Sequence, residues 1–286
     1  MLIISVMIFG TLGVFRKFMP LSSGTLTFWR GIIGGICLIL IILIKSKHKY
    51  NMKKFLDLKL RTFLILLVTG LMLALHWLFS FEGFKYAPVS IVSPCCYMQP
   101  IFVIILSSIF FHEKITRRKI FCFIAALIGM ILISGIIESG LPEQGILSGV
   151  IYGLLSGFFY ALVVIFNKLV PGVDAYIKTI IQIVTASLAM LPYIFLTQSY
   201  LNDSWSFSAV ILMIIFGIVN TAIAFGLYFA SMDGLKAHTI AIFGYLDPVT
   251  ALILAALILG ESLSIYGIIG VILILGAALI CELDFN

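Results

Sequence analysis

Charge is what this sequence has least of. Lys, Arg, Asp and Glu together make up 10% of its 286 residues, where a soluble domain carries about 25%. So few charges cannot cover a water-facing surface, which excludes an ordinary soluble domain. Several chemical motifs are missing as well. No Gly-Lys dipeptide occurs, so there is no Walker loop and no sign of a nucleotide-driven pump. The stretch FHEKIT offers His112 and Glu113 but has Thr116 where a zinc protease needs its second His. The five cysteines (Cys37, Cys95, Cys96, Cys122 and Cys281) show no C-x-x-C spacing, and no His is placed to complete a metal site. They read as apolar filler. No paired acidic motif suggests a lipid-phosphate enzyme, and no metal or cofactor is expected.

What fills the sequence instead is apolar: 62% of the residues, with a mean hydropathy of +1.23. About 20 apolar residues cross a bilayer's hydrocarbon core as a helix. Ten runs approach that length: Met1–Phe15, Leu21–Ile44 (interrupted by Arg30), Thr62–Phe81, Tyr86–Phe111, Ile120–Ile137, Gln144–Asn167, Thr179–Asn202, Ser204–Met232, Ala237–Gly260 (interrupted by Asp247) and Ser262–Cys281. The runs are continuous rather than alternating, which predicts helices and not a barrel. In a secretory leader, basic residues precede the apolar run. Arg16 and Lys17 follow Met1–Phe15, so this run is read as a short first span. The fold class is an all-α integral membrane protein with ten transmembrane helices.

The net charge of +6 does not point to nucleic acid, because the basic residues are sorted along the chain. Lys45, Lys47, Lys49, Lys53, Lys54, Lys59 and Arg61 lie between spans 2 and 3, and Lys114, Arg117, Arg118 and Lys119 between spans 4 and 5. Lys168, Lys178 and Lys236 fall on the same side, making fourteen against Arg16, Lys17 and Lys85 on the other. Cytoplasmic loops collect Lys and Arg, so both termini are placed in the cytoplasm and the protein in the cytoplasmic (inner) membrane.

Shifted by 148 positions, YMQPIFVIILSSIFFHE (Tyr97 to Glu113) aligns with YLDPVTALILAALILGE (Tyr245 to Glu261) without a gap. Tyr97 meets Tyr245, Pro100 meets Pro248, and Phe81 falls on Phe229. A shift of 151 sets VFRK, ending at Lys17, on VIFNK, ending at Lys168. The reading is two five-helix repeats, at 1–138 and 144–281. Because five is odd, the second enters the membrane from the opposite side, an arrangement found in many secondary transporters.

The stretches TFWRGIIGG, LHWLFSFEGFKYAPVSIVS and the two Tyr…Pro…Glu strings resemble the EamA-type branch of the drug/metabolite transporter superfamily, over nearly the whole chain. The first span departs, with FGTLGVFRK where the family tends to have a Trp-Gly pair. The resemblance implies ten helices around a central cavity and export of a small metabolite, often an amino acid or related amphipathic compound. Uptake or exchange of a polar metabolite is the alternative, and a membrane-embedded lipid-modifying enzyme a more distant one.

Two charges sit where charges are expensive. Arg30 and Asp247 both fall near mid-bilayer, and an ionisable group there should face a cavity or a partner. They either pair, locking spans 2 and 9, or serve a cargo. Asp247 is the stronger site candidate because its repeat mate is the neutral Gln99, and both precede a proline that frees a carbonyl in mid-membrane. Tyr97 and Tyr245, two residues earlier, need partners for their hydroxyls. His76, Trp77, Asn220, Tyr228 and Tyr160 are candidates for the same lining, and His76 could also relay protons. Glu113 and Glu261, at opposite faces, are read as gates engaging Lys17 or Lys168, or simply as helix-end charges. Gly145, Gly149, Gly153 and Gly157 recur every fourth residue in span 6, a pattern for close helix packing. It is read first as packing within a monomer. The partners implied are the bilayer and a small-molecule cargo, with proton coupling open.

The basic asymmetry makes a direct prediction. In a cysteine-free background, Lys49→Cys should react with an impermeant thiol reagent only from the cytoplasm and Ser139→Cys only from outside. Reaction of both from one face would break the ten-span inverted topology.

Overall fold

Inside a bilayer every backbone N–H and C=O must find its partner within the protein. The computed structural model meets that demand with helices, and no β-strand occurs among the described residues. It describes residues 1–45, 58–112, 116–133, 137, 144–232, 243–244 and 246–282. The labelling positions Lys49 and Ser139 and the candidates Glu113 and Tyr245 lie outside these.

The first apolar run is two helices, α1 (Leu2–Gly10) and α2 (Leu12–Lys17), divided at Thr11. Two long helices follow, α3 (Ser23–Lys45) and α4 (Leu60–Tyr86). The fourth run is again divided, into α5 (Val89–Cys96) and α6 (Gln99–Phe111). Then come α7 (Arg117–Ile133), α8 (Gln144–Lys168) and α9 (Ala175–Thr197). The eighth run is α10 (Phe207–Gly217), a π-helical stretch Ile218–Ile223 and α11 (Ala224–Met232). The last two are α12 (Leu246–Leu259) and α13 (Ile265–Glu282).

Among the described residues, six helical segments are long and apolar enough to cross a membrane, and three apolar helices are shorter. The protein is a multi-pass membrane protein. The helix containing His76 continues past the charge-free stretch to include Glu82 and Lys85, which pair at 4.0 Å. Two helix starts are capped by side chains. The Asp174 carboxylate accepts from the Tyr176 and Ile177 amides at the start of α9, at 2.9 and 3.3 Å, and Ser206 Oγ accepts from the Ala209 amide at the start of α10.

The distribution of polarity suits lipid rather than water. Large apolar side chains such as Phe121, Leu257 and Ile272 point outward, while Thr69, Ser93, Ser107, Ser156 and Ser187 are buried. Without a hydrophobic drive between helices, association in lipid rests on close contact of small residues and hydrogen bonds. The glycine row of α8 does this work. A Cβ at Gly149 would overlap the Ala87 Cβ at 2.2 Å, one at Gly153 would meet the Cys95 Cβ at 2.8 Å, and one at Gly157 the Cys96 carbonyl oxygen at 2.7 Å. The row therefore packs on the broken fourth run within the chain, and α8 also runs along α4.

A second close crossing joins α7 to α13. A Cβ on Gly129 would stand 2.7 Å from the Gly270 carbonyl oxygen, and one on Gly270 would stand 2.5 Å from that of Gly129. Elsewhere α9 packs on α3 and α4, α1 on α11 and α12, and α12 on α5. These contacts bring the two divided runs and the start of α12 to one place.

The glycine contacts predict a contrast between two substitutions of the same kind. Gly157→Ala should lower stability by about 1–3 kcal/mol through overpacking. Gly276→Ala, where an added Cβ meets nothing within 4 Å, should be neutral or slightly stabilising, since Ala is the better helix former. Thermal unfolding of the two variants in detergent checks this. Equal melting temperatures would show that the α8 contact is not tight.

Candidate functional site

The two prolines of the repeated strings shape the centre of the molecule. Pro100 lacks the N–H that would continue the helix and sits in the first turn of α6, where that N–H is not needed. The chain between α5 and α6 turns through Tyr97 and Met98, whose amides bond back to the Ser93 and Cys95 carbonyls at 3.1 and 3.2 Å. Pro248 likewise lies in the first turn of α12, beside Asp247. Thus Gln99 and Asp247, repeat mates in the sequence, both stand at helix starts, where the macrodipole favours negative charge.

The division of the first run completes the arrangement. A Cβ on Gly10 would stand 2.6 Å from the Asp247 carbonyl oxygen, so α1 can touch α12 only through glycine. The carbonyl of Ile8, exposed by the break, accepts from Thr11 Oγ1 at 2.7 Å and Asn220 Nδ2 at 3.0 Å. Asn220 also donates to Thr11 Oγ1 at 2.8 Å. The π-helical stretch that carries Asn220 and Thr221 is the means by which both side chains turn inward.

Between these elements lies a cavity of about 170 Å³. Arg30, His76, Trp77, Tyr97, Gln99 and Asp247 all line it, together with Tyr160 and Cys96. Seven of the ten lining candidates, Tyr160 among them, are therefore together around one space. Asn220 is buried and spent on the α1 break instead, and it does not line the cavity. Tyr228 also stands behind the lining, its ring edge-on to Phe9 at 6.2 Å.

Each polar wall is held from behind. Nδ1 of His76 lies 3.0 Å from the Ser156 carbonyl oxygen and 2.9 Å from Ser156 Oγ, and its ring packs on Tyr160 at 4.9 Å. Arg30 is 1% exposed. Its Nε donates to Thr221 Oγ1 at 3.0 Å, and its guanidinium lies 4.4 Å from the centroid of Trp77, 5.1 Å from Phe216 and 5.8 Å from Phe81. Among the described residues Arg30 and Asp247 form no ion pair, so the pairing open in the sequence is replaced by an aromatic cage. A desolvated cation over such rings gains about 2 kcal/mol or more. Among the described residues no three His, Cys, Asp or Glu side chains gather as metal ligands.

Of the gate candidates, Glu261, Lys17 and Lys168 do not line the cavity. Glu261 accepts from the Val89 and Ser90 amides, at 3.0 and 2.9 Å, and so caps α5 from the end of α12. Lys17 Nζ donates to the Ala87 carbonyl at 3.0 Å, on the other side of Pro88. Lys168 sits over the Phe111 ring at 5.5 Å. A wider recess of about 900 Å³ opens near the same end as Lys17, bounded by Arg16, Glu82, Tyr86, Tyr152 and Tyr193 among others.

Sequence reasoning missed Gly10, Thr221, Ser156 and the division at Thr11. The pair Gly10-Thr11 inside an apolar run was the available signal, since Gly there marks a close approach. Thr221 carries no such mark.

Comparison with known proteins agrees with this architecture. An "Uncharacterized transporter YxxF" of Bacillus subtilis is 28% identical over 275 residues, spanning 96% of this chain and 85% of that one. A "Probable amino-acid metabolite efflux pump" of Salmonella typhimurium is 26% identical over 221 residues, 73% of this chain and 72% of that one. A solved crystal structure shares the fold, with a TM-score of 0.66 over 97% of this chain and 93% of the other at 18% identity. The profile of the EamA-like transporter family matches residues 1–135 and again 147–282. With nearly all of its length matched in this way, the chain belongs to the EamA-like transporter family.

Proposed function

We propose that this protein is a secondary-active transporter that exports a small metabolite across the cytoplasmic membrane by alternating access, as two inverted five-helix halves at 1–138 and 144–281. The observation that carries this reading is the cavity where Gln99 and Asp247, mates at an offset of 148, face one space with divided helices around it. Broken helices at a repeat interface are where such carriers bind cargo. The two separate matches to one family profile support the division into halves. The Salmonella relative's printed name favours an amino acid or related compound and outward movement. Both termini are cytoplasmic in this reading, and the protein works as a monomer.

Asp247 is the coupling group. A carboxylate in low dielectric must hold a proton or face a cation. A substrate ammonium and a proton can therefore take turns at it, linking occupancy to conformation. The Glu261 and Lys17 contacts on either side of Pro88 close the outer end. Opening that end requires the Glu261 carboxylate to release two backbone amides, which then meet water.

Two experiments test this. Purified protein in proteoliposomes should move a small amphipathic metabolite without ATP, by exchange or under a proton gradient, and Asp247→Asn should fold but lose proton-linked flux or affinity for an amine-bearing cargo. Unchanged rate, pH dependence and affinity in that variant would make Asp247 structural. Conversion of a lipid or peptide without any flux would replace the carrier with an enzyme.

The latch makes its own prediction. Glu261→Ala leaves two amides of α5 without their acceptor, at a cost of about 1–3 kcal/mol each if they stay buried. The outer end should then open more often. In a cysteine-free background, a Ser93→Cys probe in the cavity wall should react several-fold faster with an impermeant reagent added outside. An unchanged rate would make Glu261 a helix cap without a gating role.

A further inference from the structure

Arg30 is the feature of the cavity that packing leaves unexplained. It is 1% exposed, and Nε is satisfied by Thr221. Trp77, Phe216 and Phe81 surround the guanidinium but offer no hydrogen-bond acceptor in their side chains beyond the weak ring faces. Nη1 is buried with no hydrogen-bond partner among the described residues. A guanidinium stays charged under all ordinary conditions, and a buried charge without a counterion is costly. The aromatic cage offsets part of that cost but leaves the donor free. Arg30 lines the same cavity as Asp247, and no ion pair joins them among the described residues. Two groups of opposite sign thus line one small space without pairing with each other, Asp247 held by a hydrogen bond with the Tyr97 hydroxyl and Arg30 with its Nη1 unmet.

We infer that Arg30 forms an anion subsite, in which Nη1 receives the carboxylate of a cargo whose ammonium is taken by Asp247. This deepens the transporter reading above and rests on it. The lining favours a carboxylate over a phosphate. It contains one Arg and no Lys, whereas a phosphate dianion is usually met by several cationic or backbone donors. A neutral cargo would leave both charges unanswered, and a simple amine would leave Arg30 so. A zwitterion answers both within a single molecule and needs no net charge to enter the membrane. Trp77 has a part in this as well. By covering one face of the guanidinium it fixes the plane in which the free N–H points, so the carboxylate must approach edge-on.

The test is a comparison of matched ligands on the full-length protein in detergent. The probes are the twenty standard amino acids, their carboxamides, and the corresponding amines without a carboxyl group, read by thermal shift and isothermal titration. For the members that bind, removing the carboxylate should weaken affinity by about 10–100-fold, the size of one charge-assisted hydrogen bond. Arg30→Gln should shrink that acid-to-amide ratio to near one, and Arg30→Lys should restore part of it. A merely structural Arg30 would lower the melting temperature without changing the ratio. If Arg30→Gln does not fold, the ratio in the unaltered protein and in Arg30→Lys decides. Equal affinity for acids and amides, or binding of amines or neutral metabolites alone, would overturn the anion subsite while leaving the carrier intact. If no metabolite binds and none crosses proteoliposomes, both the subsite and the carrier reading fail.

Discussion

The requirement that no backbone polar group go unanswered in hydrocarbon governs this molecule. Straight helices meet it automatically but offer no place for a polar cargo. Every departure from straightness therefore has to be compensated by a nearby group. At the α1 break, the Ile8 carbonyl is taken up by Thr11 and Asn220. At the start of α5, two amides are taken up by Glu261. Between α5 and α6, the Tyr97 and Met98 amides fold back on α5. The cavity exists because these local repairs let three helices stop or bend at the same depth.

The same requirement explains why polar residues in the interior do two different jobs. Asn220, Ser156 and Thr221 serve the protein itself, holding a carbonyl, an imidazole and a guanidinium in place. Tyr97, Gln99, His76 and Asp247 line the cavity. Burial alone does not separate the groups, since Arg30 is among the most buried residues of all. What separates them is position: His76 is held by Ser156 and Asp247 is hydrogen-bonded by Tyr97, yet both still line the cavity, whereas Asn220 and Thr221 do not.

That distinction also marks how far the sequence could be read. Scarcity of charge, continuous apolar runs and Arg30 and Asp247 in mid-run made the membrane class and two of the wall residues legible. The strings ending at Glu113 and Glu261 made Tyr97 and Gln99 legible, because a proline at matching positions has a local effect that needs no tertiary knowledge. Asn220 was drawn into the same group because an amide in an apolar run looks alike whether it caps a neighbouring helix or faces a cavity. Its true partner, Ile8, is 212 positions away, and no local pattern encodes that distance. The cage around Arg30 was hidden for the same reason. Phe216 and Phe81 are ordinary apolar aromatics until α3, α4 and α10 are assembled, and Trp77, read as a lining residue, showed nothing in sequence of its place over the guanidinium.

The crossing of α7 and α13 carries a mechanical consequence. Gly129 and Gly270 each sit against the other's carbonyl oxygen, with Leu273 and Ile274 close beside the first and Leu132 and Ile133 close beside the second. Sliding one helix along the other by a turn would bring the branched side chains that flank each glycine, such as Leu273 or Ile133, into a gap sized for a hydrogen atom. The joint therefore opposes translation of one helix along the other, as a pin holds two levers.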